Sequence, residues 1–319
     1  MKTEKKIGDW AEEFIDYKRS IGYVYGRQQY LLQNYVDFTH KRQMNLMYPT
    51  KQSVNEFLNT KISVPGTLYN ATCVLREFSR YLLNHGFRDA YIIPPKSATQ
   101  VKPEPPYFFT KEEIQSFFTA LDSIKPHSSF KGRELVMPAL FRVLYCCGLR
   151  NKEARTLLYS DVHPLEFYMD ILQSKGPKSR RLFISHELSI YLQEYDANIS
   201  LLFPRRKYFF PHKENVYVSS TVTENFKRFW LKAYPDSIFE IKPTAYDLRH
   251  NFACENLNRW AAEGCDINSM LAYLSRYMGH QSIRGTLYYF HFIPEYFSEF
   301  VDKSKALEEI IPEVQDEEE

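Results

Sequence analysis

Two arginines, a lysine, a histidine and two adjacent tyrosines stand where they could handle a phosphodiester. Arg150 follows Gly148-Leu149 at the end of an apolar run, a helix junction from which a planar guanidinium can enter a cleft. Arg249 falls in the first turn of a helix opening after Pro243, and a helix N-terminus itself favours an anion. Lys175 lies in Ser174-Lys175-Gly176-Pro177-Lys178, a basic turn in which Lys178 is a nearby rival. His280 follows Gly279 at the last turn of one helix, and Tyr288-Tyr289 belong to the next segment. In a chain with 24 tyrosines such a pair is unremarkable alone. Together the cations can grip non-bridging oxygens and stabilise the charge of a pentacoordinate phosphorus while a tyrosine attacks it. An arginine clamp does this without a metal, and no acidic metal-ligand motif competes for the role.

The elements that would position these groups are mainly helical. Four apolar patterns of helical period precede residue 90: one from Asp9, read as an N-cap, through Trp10, Phe14 and Tyr17, and one through Tyr30, Leu31, Tyr35 and Phe38. A third opens at Pro49-Thr50, and a fourth runs from Pro65-Gly66 to Gly86. The fourth presents Arg76 and Arg80, whose plainest reading is a solvated face. Residues 96–107 are proline-rich and without apolar period, which predicts a semi-rigid linker. The expected division is a helical domain over 1–95, this linker, and a larger domain over 108–319. The second domain begins with the capping-box pattern Thr110-Lys-Glu-Glu113 and continues with an apolar helix from about Glu134 to Cys147. A helical segment is expected from Asn151 to Leu158. Between Leu165 and Ser185 the period changes to two, a β-hairpin around the lysine turn. Helical patterns return at 186–199, 221–234, 247–262, 266–278 and 294–309.

The formal charge of +2 hides an asymmetry: Leu307 to Glu319 holds seven acidic residues and no basic ones. The rest carries 41 Lys and Arg against 32 Asp and Glu, or +9, a body compatible with nucleic acid. Five cysteines without a C-x-x-C pair favour reduced, mostly buried thiols. No apolar run approaches a membrane span and the start lacks a signal-peptide core, so a cytoplasmic protein without a membrane partner is expected.

The chain resembles the tyrosine recombinases, the family of phage integrases and Xer-type site-specific recombinases. Cys147-Gly-Leu-Arg150-Asn-Lys-Glu153 with Asp161 is similar to the family's first arginine box, and Gln173-Ser-Lys175-Gly-Pro-Lys178 to its hairpin lysine motif. Tyr246-Asp-Leu-Arg249-His250 resembles the H-x-x-R box, and Met278-Gly-His280 with Thr286 and Tyr289-Phe-His291 the terminal box. The four-helix start resembles the family's core-binding domain. The implied architecture is a helical core-binding domain plus a mixed α+β catalytic domain, mainly α with a small sheet.

By this resemblance Tyr289, not Tyr288, is the nucleophile and forms a 3′-phosphotyrosyl bond while a 5′-hydroxyl leaves. Arg150 and Arg249 clamp the phosphate, His280 donates to it, Lys175 protonates the leaving oxygen, and Glu153 supports from behind. Tyr246 stands where the family has histidine; a phenol of pKa near 10 is a poor base, so Tyr246 is given a positioning role. His250 reads as a packing or helix-end residue, and His291 as an outer support. The implied partner is double-stranded DNA, clamped by the two domains, with four protomers assembled on paired sites and neither metal nor ATP required. The C-terminal helix would dock on a neighbouring protomer, and an accessory directionality factor is compatible with this scheme. A type IB topoisomerase and a DNA-binding regulator of weak catalysis are the alternatives.

Overall fold

A computed structural model describes residues 5–95, 97, 105–172, 179–235, 237–239, 241–280 and 282–289. Most of the expected linker, the hairpin turn with Lys175 and Lys178, His291 and the C-terminal helix lie outside the described residues. The chain divides into two compact units, Met1–Glu104 and Pro105–Glu319.

The first unit packs helices α1 (Ile7–Ser20), α2 (Gly26–Lys41), α3 (Lys51–Asn59) and α4 (Pro65–Asn84). Phe14, Tyr35, Phe57 and Phe78 are fully buried between them, each worth roughly 1.5–3 kcal/mol of apolar burial. The buried Tyr35 hydroxyl is satisfied by Ser53 Oγ at 2.6 Å. Asp9 is not the N-cap of α1: it sits inside the first turn, and its carboxylate accepts from the backbone N–H of the cap residue Lys6 at 2.8 Å. An acidic residue serves either position, because both satisfy orphan amides at the same helix end. Arg76 is not merely solvated either. It donates to the carbonyls of Ile93 and Pro94 at 2.8 and 2.7 Å and so ties the exit of this unit to α4.

The second unit opens with α5 (Lys111–Asp122), capped as expected: Thr110 Oγ1 accepts from Glu113 N at 3.2 Å, and Glu113 accepts in return from Thr110 N. Helix α6 (Arg133–Cys147) is apolar nearly all round because α5, α8 and α10 pack on it. It is followed by α7 (Asn151–Arg155), shorter than the segment expected from sequence. A three-stranded antiparallel sheet comes next: β1 (Val162–His163), β2 (Tyr168–Ile171) and β3 (Arg180–Phe183). Its register sets Met169 opposite Leu182 and Ile171 opposite Arg180. Helix α8 (His186–Leu202) leads to a two-stranded ribbon, β4 (Pro211–His212) and β5 (Asn215–Val216), and then to α9 (Ser219–Ala233), which packs on α5. Strands β1, β4 and β5, two residues each, are too short for an alternating pattern and were not expected. Helices α10 (Asp247–Ala262), α11 (Ile267–Met278) and α12 (Arg284–Leu287) complete the described chain.

None of the described helices is long and apolar enough to cross a membrane. The five cysteines are unpaired; Cys147 and Cys254 are buried, whereas Cys146 is exposed, against the expectation of mostly buried thiols. The Arg206 side chain is buried and ion-paired with Asp196.

Candidate active site

Two helix ends make the frame. Helix α6 stops at Gly148 and α11 stops at Gly279, both in the left-handed conformation with φ of +57° and +65°. Neither position admits a side chain. A Cβ on Gly148 would lie 2.4 Å from the Phe252 ring, and one on Gly279 would lie 2.6 Å from the Arg180 guanidinium. The last carbonyls of a helix have no intrahelical partner and carry the negative end of its dipole, so they invite cations.

Three arginines accept that invitation at the end of α11. Arg180 Nε donates to the carbonyl of Tyr277 at 2.6 Å, Arg249 Nη2 to Met278 at 2.9 Å, and Arg150 Nη2 to Gly279 at 2.7 Å. Arg249 also donates to Gly148 and thereby joins the two helix ends. Glu153 bridges the other two: it accepts from Arg150 Nη1 at 2.9 Å and takes both Nη groups of Arg180 at 3.1 and 3.0 Å. The Glu153 and Arg180 side chains are only 7% and 8% exposed, which makes this a buried pair. Burial opposes ionisation of Glu153, but the hydrogen bonds and charge of Arg180, with those of Arg150, outweigh it and hold the carboxyl below its usual range. Arg249 is almost fully buried, and burial, then the charge of Arg150, presses its pKa down. Its Nε has no partner among the described residues.

The other side of the site is neutral. Tyr289 packs into an apolar cluster with Ala253, Cys254 and Leu257 of α10 and Leu271, Leu274 and Met278 of α11, and is 2% exposed. Burial raises its phenol well above 10, partly offset by the Arg249 charge. Its rival Tyr288 is the more exposed of the two, at 36%. Thr286, fully buried, bonds His280 Nδ1 at 2.7 Å. Burial, then the charges of Arg249, Arg150 and Arg180, push the His280 imidazole down to about 4, so it is neutral at pH 7. When the Thr286 hydroxyl donates to Nδ1, the imidazole proton sits on Nε2, which is then itself a donor.

Of the residues singled out from sequence, Arg150, Arg249, His280 and Tyr289 are therefore brought together, and Tyr246 borders them. Tyr246 is the residue before α10, and it is 52% exposed with its ring edge-on to His250. The structure adds two residues that the sequence reading missed. One is Arg180. It shares a strand face with the buried Leu182, and that alternation was the available signal. The other is His250, whose Nδ1 lies 3.1 Å from Tyr289 Oη.

The profile of the phage integrase family matches residues 107–295. The tyrosine recombinase XerC of Lactobacillus leichmannii is 30% identical over 234 residues, covering 70% of this chain and 72% of that protein. Among solved structures, the XerH site-specific recombinase in a post-cleavage complex with palindromic difH substrate aligns with a TM-score of 0.64 at 18% identity, over 94% of this chain and 97% of that one. A lambda integrase tetramer bound to a Holliday junction aligns with a TM-score of 0.60 at 15% identity, over 90% of this chain and 78% of that one. These structures share the fold described above.

Proposed function

The chain belongs to the phage integrase family and is a tyrosine-type site-specific DNA recombinase, and from that premise we propose how its residues divide the work. Tyr289 attacks the scissile phosphate of double-stranded DNA and holds the 3′ end as a phosphotyrosyl ester while a 5′-hydroxyl leaves. The bond energy is kept in the ester, so rejoining needs no ATP. Arg150 and Arg249 bind the non-bridging oxygens, and the unpartnered Nε of Arg249 is a donor available to them. His280 donates from Nε2, and Thr286 fixes that tautomer. Lys175 protonates the leaving 5′-oxygen. Tyr246, at the rim, positions the strand through its phenol. Reaction at paired sites calls for four protomers on two duplexes, passing through a four-way junction.

The observation that carries this reading is the convergence of Arg150, Arg249 and His280 with Tyr289, at the ends of α6 and α11. Relaxation of DNA by a type IB topoisomerase, and regulation without catalysis, are set aside, because the family matched is one of integrases and recombinases.

The test is covalent capture. A nicked half-site is first selected from a randomised duplex pool for adduct formation by the wild-type chain. Wild type and Tyr288→Phe are expected to form the adduct and Tyr289→Phe none, with the modified peptide mapping to Tyr289. Adduct from Tyr289→Phe that vanishes in Tyr288→Phe overturns the nucleophile.

A further inference from the structure

A phenol buried among apolar side chains does not ionise at neutral pH, so Tyr289 needs a base as it attacks. The family pattern puts a histidine three residues before the second arginine, and here that residue is Tyr246, itself a phenol and half exposed. One helical turn further along, on the same face of α10, stands His250. Its Nδ1 is 3.1 Å from Tyr289 Oη, within hydrogen-bond distance. Three rings confine the imidazole: Tyr246 edge-on at 4.8 Å between centroids, Tyr289 at 5.5 Å and Tyr288 at 6.0 Å.

We propose that His250 is the general base for Tyr289, taking over from the histidine that Tyr246 replaces. The proposal rests on Tyr289 being the nucleophile. In the forward step Nδ1 accepts the phenol proton as the Oη–P bond forms. The P–O5′ bond breaks, and its electron pair stays on the leaving 5′-oxygen, which takes a proton from the general acid. His250 is then an imidazolium. In the rejoining step, when a 5′-hydroxyl attacks the phosphotyrosine, it returns the proton to Oη, so no net proton is consumed.

The surroundings fit this role. Charged groups reach His250 from its own helix: Asp247 favours the imidazolium and Arg249 opposes it, while the described residues of the terminal segment present the phenols of Tyr288 and Tyr289. Burial first, then Arg249, keeps the imidazole below its ordinary value, so at pH 7 it is neutral and has a lone pair to offer. His280 cannot serve in its place. Its Nδ1 is engaged by Thr286, and three arginines discourage it from gaining a proton. Tyr246 shares the face but not the chemistry, since a phenol does not take up a proton near pH 7.

The experiment measures single-turnover adduct formation from pH 5 to 9 on the selected half-site. It compares full-length wild type, Tyr289→Phe, His250→Ala and His250→Asn. The asparagine keeps a hydrogen-bonding group near the place of Nδ1 but takes no proton in this range. Both His250 variants are expected to slow adduct formation by about 10²–10³-fold, to bind the half-site as wild type does, and to lose the acid limb of the profile. Imidazole in the buffer should restore part of the rate in His250→Ala, which shows that this variant folds. A half-site with sulfur in place of the bridging 5′-oxygen leaves without a general acid, and it should not rescue either variant. Three results would overturn the proposal: near-wild-type rate in His250→Asn, an acid limb that persists in both variants, or rescue by the sulfur substrate. If Tyr289→Phe is inactive while His250→Asn is fully active, only the base assignment falls. If Tyr289→Phe still forms adduct, the nucleophile falls and the base with it.

Discussion

The arginines at the end of α11 are held by charge-assisted bonds to a carboxylate and to helix carbonyls, whereas Tyr289, His250, His280 and Thr286 are joined by hydrogen bonds between neutral groups. The two sides face different demands. A phosphate clamp must stay charged through every step, and guanidinium does so at any accessible pH. Its cost is burial of charge, met here by Glu153 and by carbonyls that lacked partners. The reacting side has to exchange protons, so its resting groups are neutral. One environment serves both kinds: burial raises the Tyr289 phenol and lowers the His250 and His280 imidazoles.

The heaviest blow to the charged side is Glu153→Gln. It leaves Arg180 buried without its carboxylate, and breaking a buried pair in this way costs about 3–5 kcal/mol. Thermal melting of the second unit should fall by roughly 10 °C. Because the folded pKa of Glu153 lies below its unfolded value, its contribution is complete above about pH 4.5 and fades as pH falls through the folded pKa. The variant should therefore lose part of the wild type's acid sensitivity. A melt that is unchanged and equally acid-sensitive would show that the carboxylate does not hold the frame.

Arg249→Lys comes next. An ammonium cannot span the carbonyls of Gly148 and Met278 and still offer a donor to phosphate. We expect adduct formation to drop by about 10²–10³-fold, as when one transition-state donor is removed. A stability loss with normal single-turnover rates would make Arg249 a strut between helix ends rather than a clamp.

Thr286→Val acts on the neutral side and less severely. The shape is kept, but His280 Nδ1 loses its partner at 2.7 Å, which costs roughly 1–1.4 kcal/mol, or about five- to tenfold in rate. Nitrogen-15 spectra of the imidazole should show the protonated nitrogen shifting from Nε2 alone to a mixture of tautomers. An unchanged spectrum would break the link between Thr286 and donation.

Much of this was legible beforehand, for identifiable reasons. Helical period and capping residues gave most of the described α-helices within a few residues, since apolar spacing and Thr110-Glu113 chemistry are local. Arg150, Arg249, His280 and Tyr289 announced themselves by type and order along the chain. His250 did not, because its partner is 39 residues away and nothing local says where a terminal tyrosine will fold. Arg180 was overlooked because adjacent arginines on a hairpin suggest exposed charge. In fact Arg181 faces outward to Asp170, and Arg180 turns inward beside Leu182. Asp9 was misplaced by three residues, at the N-cap instead of N3, since the sequence does not say which backbone amide a carboxylate will reach.

The smallest effect is expected where the sequence departs most visibly from its family. Tyr246→His puts an imidazole at the residue preceding α10, on the same face as His250 and one turn nearer the rim. If His250 already takes the proton from Tyr289, a second imidazole has little left to do, and the gain in adduct formation should stay under about tenfold, or ~1.4 kcal/mol. The same substitution in a His250→Ala background should matter more, because it then supplies an imidazole beside the phenol other than the engaged His280. Comparing the two backgrounds measures the coupling between positions 246 and 250. A large gain in the wild-type background, with none in His250→Ala, would mean that the base belongs at 246 and that His250 merely packs against it.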